Sequence, residues 1–599
     1  HHIITELLEE NPKPYLFAHF TSSDKKEIFF SYDLRRFEEV NIFKPPLESL
    51  TGSLFMLQLV NSFHTLGEYQ NVKEYELARE DKREFDLIKH TVELSIKKGG
   101  QASGRAVLNF HSMEKNRKTM SLILDSKLII DSVTASYGDK LSYHQLEENL
   151  FRLIGLPEQD SADYTINIYY HGDLLQPFQG GFSSYSKFTG SFYVLSSSTL
   201  WYPQQLSSDE TLFDVTYRYP KNMCLVGAGK KESETEETDL KVARYTITVP
   251  TLINSFSLGF YEETKFQLSD KEPMISVYDV GGGEPKRVAE DVANAIRLYS
   301  HLFGGCPYDE LRVTTGPSVH GQAFKDFIHL PWFEEYMGKQ SSTIEITRAH
   351  EVAHAWWGHG VKAKSYHDYW LSEALAHYSA LMYAPFVLKN DKALFDKLEE
   401  WRINIANLRE YALGSGPKLG SIWLGYRATS VKTPNDYTIS TYMKGALAIH
   451  MLRMMLVDLS TMNEDVFKSM LKDFYQSNVG KELTTDDFRI FVEKYFKADM
   501  QWFFDQWVYG TEIPTLKCAK TINKSPSGKY VLTISVEQKE VTNPFIVYLP
   551  FELKYGNGNT ARARLFINKM MNNFTYELDL EPEEVTFNIL ESVLCSLEE

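Results

Sequence analysis

The chain has 599 residues, 43% apolar and 14% aromatic, enough for large buried cores and for three or four domains. A formal net charge of -17 argues against a nucleic-acid partner, because phosphate binding needs a basic surface. No apolar run approaches the roughly eighteen residues a membrane-spanning helix requires, the stretch at 53–60 being far too short, and the composition assigns no compartment.

Residues 1–83 alternate short apolar and charged runs and form an N-terminal extension without recognisable chemistry. It ends near the charged Glu80-Asp81-Lys82-Arg83-Glu84. From 84 to 258 the pattern is strand-like, with runs at Leu87–Leu94, Arg105–Phe110, Thr119–Ser126 and Tyr164–Tyr170 between polar turns, which predicts a large β domain. A strand over Met274–Val280 runs into Gly281-Gly282-Gly283 and then a helix over Pro285–Leu302. Neither GxGxxG nor GK[ST] is present there, so this is read as a strand-to-helix turn and not as a phosphate loop.

Helical periodicity dominates residues 340–508. It contains His350-Glu351-Val352-Ala353-His354, then eighteen residues, then Glu373. Histidines four apart lie on one helix face, so both imidazoles can reach one cation. Ser341-Ser342-Thr343 offers capping hydroxyls before this helix, and Gly358 and Gly360 offer a stop. Glu351 borders the same face, where a carboxylate can take a proton from a water molecule. Glu373 sits in an apolar, aromatic second helix, Tyr369 to Tyr378. A buried carboxylate is costly without a cationic partner. Two histidines and one glutamate leave the fourth tetrahedral position open, the mark of a catalytic zinc. His377, four residues after Glu373, is read as a histidine outside the ligand set, since a fourth protein ligand would close that position; His359 and His367 also lie nearby in sequence. A strongly apolar helix is predicted over Thr441–Leu452, and Gly510 to Pro514 ends the helical region. Strand patterns return at Tyr530–Glu537, Phe545–Tyr555, Ala561–Ile567 and Phe574–Leu580, a small β-sandwich. The scattered Cys224, Cys306, Cys518 and Cys595 form no disulfide framework and read as small core residues.

The segment His350 to Tyr378 resembles the gluzincin metallopeptidases of the aminopeptidase N family, whose signature is HExxH, eighteen residues, then Glu within W-L-x-E-x-x-A. Here that context is Trp370-Leu371-Ser372-Glu373-Ala374-Leu375-Ala376, with Ser372 where the family has Asn. Phe303-Gly304-Gly305-Cys306-Pro307-Tyr308 is similar to the family's F-G-x-x-P-Y segment. Phe504, Trp507, Gly510 and Pro514 are similar to the end of its catalytic domain. The likeness covers residues 85–599 and is most specific between about 320 and 450. It implies a multidomain α+β chain: the extension 1–83, a saddle-like β domain at 84–258, a thermolysin-like, mostly helical zinc catalytic domain at 259–512, and a β-sandwich at 513–599. No residues remain for the long helical C-terminal domain of aminopeptidase N itself.

The resemblance further implies one Zn2+ per chain, held by His350, His354 and Glu373, with Glu351 as general base toward a metal-activated water. It implies that Tyr442, in Tyr442-Met443-Lys444-Gly445, stabilises the oxyanion; Tyr437 is the less favoured candidate. The expected partners are peptides and the expected activity is removal of N-terminal residues. One motif departs from the family. Its G-x-M-E-N strand, whose glutamate grips the substrate's α-amino group, corresponds to Gly321, Gln322, Ala323, Phe324 and Lys325, so that Phe324 stands at the glutamate's place. The main chain of Gly321, Gln322 and Ala323 remains able to bind an extended peptide as an added strand. Asp326, Gln322 and a glutamate from the β domain, which the family uses to help line its cleft, are candidate substitutes for the missing carboxylate. Two alternatives therefore stay open: an endopeptidase or a peptidase tolerant of blocked N-termini, and a zinc-bearing peptide-binding protein with little turnover.

Overall fold

The computed structural model describes residues 15–21, 27–33, 40–44 and 58–63 and, with interruptions, residues 85–599; the longer interruptions are 157–162, 175–192, 332–342, 408–418 and 429–434. The chain divides into two compact units, His1–Phe260 and Tyr261–Glu599.

The first unit is built of β-strands. Tyr15–Thr21, Glu27–Asp33, Val40–Lys44 and Gln58–Phe63 form a four-stranded antiparallel sheet in chain order, within the stretch read as an extension. An eleven-stranded sheet follows. Its central strands, Phe85–Ile96 and Gln101–Ser112, bury alternate residues, as a sheet with one covered face must. Val92, Leu94, Ala106, Leu108 and Phe110 supply that face. Lys230–Glu236 closes one edge. All seven of its residues are exposed and most are charged, which discourages pairing with another chain.

The second unit opens with a five-stranded sheet: β1 (Glu262–Phe266), β2 (Met274–Asp279), β3 (Glu310–Gly316), β4 (Gln322–Phe324) and β5 (Phe327–Pro331), in the order β1-β2-β3-β5-β4. β2, β3 and β5 are parallel; β1 and β4 are antiparallel edges. Between β2 and β3 runs α1 (Pro285–Phe303), whose Val288, Val292, Ile296 and Tyr299 bury against the sheet's core side chains. The glycine turn before α1 is held by Asp279, whose carboxylate accepts the amides of Gly281 and Gly283 and the Thr315 hydroxyl. These amides are spent on the turn itself.

The helices that follow include α2 (Thr343–Ala353), α3 (Trp370–Phe386), α4 (Asp391–Asn407), α5 (Gly445–Leu456), α6 (Asp465–Asn478) and α7 (Thr485–Phe496). The helix expected from Thr441 begins earlier and wider. Thr438–Lys444 is a π-helical segment leading directly into α5, and the Gly445 amide reaches back to the Ser440 carbonyl. After Gly510 come two sheets. One contains Thr515–Lys524, Tyr530–Lys539, Met571–Leu578 and Ser596–Glu598; the other contains Val547–Lys554, Thr560–Ile567 and Glu584–Phe587. Their inward residues, among them Leu532, Ile534, Leu549, Phe551 and Leu565, join the same apolar core as the helices. Cys518 and Cys595 lie in that core, but Cys224 is only half-buried and Cys306 is exposed in the loop after α1. Among the described residues no helix is long and apolar enough to cross a membrane.

Candidate active site

α2 is fixed on the outside before it offers anything on the inside. Arg348 pairs with Asp291 of α1 at 2.5 Å, both largely buried, and Arg287 of α1 pairs with Glu345 at 2.6 Å. Tyr299 donates to the Ala349 carbonyl at 3.1 Å. Losing one member of a buried pair strands the other charge, at about 3–5 kcal/mol, so α2 is held firmly in register on α1. The residues expected to cap α2, Ser341 and Ser342, lie outside the described residues.

Regular helix ends at Ala353, one residue short of His354. Tightened turns continue the path, with Ala355 N bonded to Val352 O and Trp356 N to Ala353 O. His354 thus stays beneath His350. Gly358 then turns the chain at φ 123°, and a side chain there would meet Ser372 Oγ at 2.5 Å. Its absence lets α3 approach closely enough to deliver Glu373.

The three side chains converge. His350 Nε2 and His354 Nε2 are 3.2 Å apart, and Glu373 Oε2 lies 3.6 Å from the first and 3.4 Å from the second. Four ligands placed tetrahedrally at zinc-like bond lengths are separated by about 3.4 Å, so the triangle has the size of one face of such a site. Among the described residues this is the one cluster of metal-ligating groups. Glu373 Oε2 is buried and accepts no hydrogen bond, an orphaned acceptor that a cation would satisfy. His354 Nδ1 lies 3.0 Å from the Trp357 carbonyl. That contact puts its proton on Nδ1 and leaves Nε2 free to ligate. These donors fit a zinc ion. In the metal-free site burial disfavours a charged His354, but Glu373 beside it outweighs burial and raises its pKa to about 9. Burial alone would raise the Glu373 pKa; His354 instead holds it well below the usual carboxylate range.

Glu351 is buried, which pushes its pKa up against the opposing pull of His350 and His354. The edge strand β4 abuts it. A Cβ on Gly321 would meet Glu351 Oε1 at 2.4 Å, so the backbone there approaches the carboxylate as no side-chain-bearing residue could. Side chains alternate along a strand, so Ala323 shares the Gly321 face while Gln322 and Phe324 take the other. Phe324 is 1% exposed and stacks on Phe327, ring centres 5.6 Å apart. Lys325 and Asp326 form the two-residue hairpin turn to β5 and pair with each other at 2.8 Å. Asp326, a candidate replacement anchor, is thus already engaged. The Ala323 carbonyl is hydrogen-bonded by the ring of His359, which burial keeps neutral with a pKa lowered to about 3.

Tyr442 lies in the π-helical segment with its ring 6.0 Å from that of His350 and 5.9 Å from that of Tyr437, the two tyrosines at 88°. Burial, and then Glu373, raise its pKa well above the phenol value, so its hydroxyl stays a donor. Lys444 anchors this segment through Nζ to the Gly510 carbonyl at 2.8 Å. His367 stands apart from the ligand set: it stacks on Trp423 at 3.5 Å and its Nδ1 lies 2.6 Å from the Trp423 carbonyl. His377 faces His350 with Nδ1 atoms 3.4 Å apart. Burial, and then His350, lower its pKa to about 3. Sequence reasoning missed the Gly321–Glu351 and His359–Ala323 contacts, because each joins elements that no spacing rule relates.

Residues 333–507 match the peptidase family M1 domain. The human protein endoplasmic reticulum aminopeptidase 1 is 22% identical over 418 residues, covering 65% of this chain and 41% of that protein; the chain thus spans about two fifths of that relative's length. Two solved structures share the fold. The M1 zinc metallopeptidase from Deinococcus radiodurans has a TM-score of 0.56 at 20% identity, covering 72% of this chain and 95% of its own. Legionella pneumophila aminopeptidase A, solved with aspartic acid, has a TM-score of 0.66 at 15% identity, covering 86% and 60%. Residues 333–507, which hold the His350, His354 and Glu373 cluster, are thus similar to the peptidase family M1 domain, and the chain shares its fold with the solved M1 structure.

Proposed function

We propose that this chain hydrolyses peptide bonds with one zinc ion bound by His350, His354 and Glu373, and that it acts as an aminopeptidase. The observation that carries the reading is the 3.2–3.6 Å triangle of donor atoms with the buried Glu351 carboxylate beside it. Bound zinc would supply a Lewis acid for the scissile carbonyl and acidify water. Glu351, kept basic but with a raised pKa, accepts the proton of the attacking water and passes it on to the leaving amine. Tyr442 donates its phenolic proton in a hydrogen bond to the developing oxyanion. The main chain at Gly321 and Gln322 lies along the substrate path beside Glu351, with Ala323 lining the same face. On this reading residues 84–258 are the family's saddle-like domain, residues 259–512 its thermolysin-like domain and residues 513–599 its β-sandwich, with residues 1–83 an N-terminal extension.

A second reading, cleavage of internal bonds or of blocked N-termini, is favoured by one observation. The face of β4 toward Glu351 carries only Gly321 and Ala323, and Phe324 is buried on the other side. That strand offers no carboxylate for an α-ammonium group. One experiment tests both readings: zinc content by elemental analysis, together with hydrolysis of one peptide bearing a free or an acetylated N-terminus. Stoichiometric zinc with cleavage of the free peptide alone supports the aminopeptidase. Similar cleavage of both supports the second reading. Stoichiometric zinc without turnover of either would leave a peptide-binding protein and refute the enzyme.

A further inference from the structure

His377 lies one turn beyond Glu373 on α3, so both side chains leave the same helix face. Its imidazole touches three things. Its Nδ1 is 3.4 Å from His350 Nδ1, with the rings at 84° and their centres 5.2 Å apart. Its ring stacks on Trp401 of α4 at 4.7 Å and 18°. Its edge contacts the Tyr442 ring at 5.8 Å and 90°.

Two facing ring nitrogens form a hydrogen bond only if one carries the proton and the other does not. His350 must keep Nε2 bare to bind a metal, so its proton resides on Nδ1 and that nitrogen is the donor. His377 Nδ1 must then be the acceptor, with the His377 proton on Nε2. A ring in that state turns no lone pair toward the ligand triangle, and His377 stands outside the metal-ligating cluster. The two ligating histidines are therefore held differently, His354 by a peptide carbonyl and His350 by a neutral imidazole.

We propose that His377 is a positioning residue for zinc: it accepts the His350 Nδ1 proton, orients the His350 ring between α3 and the Tyr442 segment, and so presents His350 Nε2 to the metal. The role rests on the zinc site proposed above but not on any particular substrate or reaction. Partners of this kind are typically worth ten- to a hundredfold in metal affinity.

The test separates hydrogen bonding from packing. His377→Phe keeps an aromatic ring against Trp401 and removes the acceptor. His377→Asn removes the ring and places an amide oxygen where Nδ1 stood. Zinc affinity is measured on the full chain by competition with a chromogenic chelator. Thermal unfolding of the metal-free proteins reports on packing, and the visible spectrum of the cobalt-substituted forms reports on ligand geometry. The expected result is zinc binding about ten- to a hundredfold weaker in His377→Phe with an altered cobalt spectrum. His377→Asn should stay within about threefold of the parent even if it unfolds at lower temperature. Parental affinity in His377→Phe overturns the proposal, and so does an equal loss in both variants. Should His377→Phe not fold, His377→Asn alone decides: parental affinity supports the role and a large loss refutes it. Failure of the parent to bind zinc would overturn the metal site and this role together, whereas an inactive parent that binds zinc would leave the role standing.

Discussion

Replacing Gly321 with Ala should cripple turnover while sparing both zinc and the fold. A methyl group there would lie 2.4 Å from Glu351 Oε1, 2.7 Å from its carboxyl carbon and 2.8 Å from its Cγ. Ordinary carbon contacts begin near 3.4 Å, so the carboxylate or β4 must yield by about 1 Å. Misplacement of a catalytic group by that distance costs about a hundredfold in rate, roughly 2.7 kcal/mol of transition-state stabilisation. The cost to stability should be smaller. The atoms met first end a flexible side chain, so the loss should be about 1 kcal/mol, the low end of the overpacking range. The three nearest atoms all belong to Glu351, and none to His350, His354 or Glu373. The assay is steady-state hydrolysis of a fluorogenic peptide, with zinc content and thermal unfolding measured on the same preparation. A variant with parental kcat would refute the close approach of β4 to a catalytic Glu351. A variant that lost zinc in proportion to activity would show that the perturbation acts on the metal instead.

Three further outcomes are expected. Glu351→Gln keeps the shape of the side chain without its basicity, so it should retain zinc and lose several orders of magnitude in kcat; parental rates would assign the proton transfer to another group. Tyr442→Phe should lower kcat by about tenfold to a thousandfold with little change in KM, because the hydroxyl acts on charge that develops in the transition state; a pure KM effect would bring Tyr437 forward. Zinc affinity should depend on pH through His354, whose metal-free pKa is raised to about 9. Below that value each zinc must displace the His354 proton, so apparent affinity should rise about tenfold per pH unit and level off above it. The sign is opposite for the metal-free fold, which gains stability from the His354–Glu373 pair below the ordinary histidine pKa and loses it as pH rises through about 9. An affinity flat between pH 7 and 8.5 would contradict the raised pKa.

Much of this molecule is legible in its linear order. Where one element determines its own periodicity, sequence and structure agree closely. Residues Leu87–Leu94 fall inside the strand Phe85–Ile96, and Pro285–Leu302 falls inside the helix Pro285–Phe303. The convergence of His350, His354 and Glu373 was readable for the same reason. A four-residue spacing stacks His350 over His354 even though the helix formally ends at Ala353, and a glutamate in an apolar helix announces a partner. What tertiary packing alone decided are the relations between segments. The inward turn of Phe324, the fit of Gly321 against Glu351, the capture of the Ala323 carbonyl by His359 and the wedge of His377 between His350, Trp401 and Tyr442 each join elements far apart in the chain. A strand's alternation says that its two faces differ but not which face meets the site. A helix's spacing says which residues align but not what they touch. The π-helical opening at Tyr442 belongs with these, because the extra residue in its turn is tolerated where Lys444 is tied to Gly510, a carbonyl 66 residues downstream that local sequence cannot bring into view.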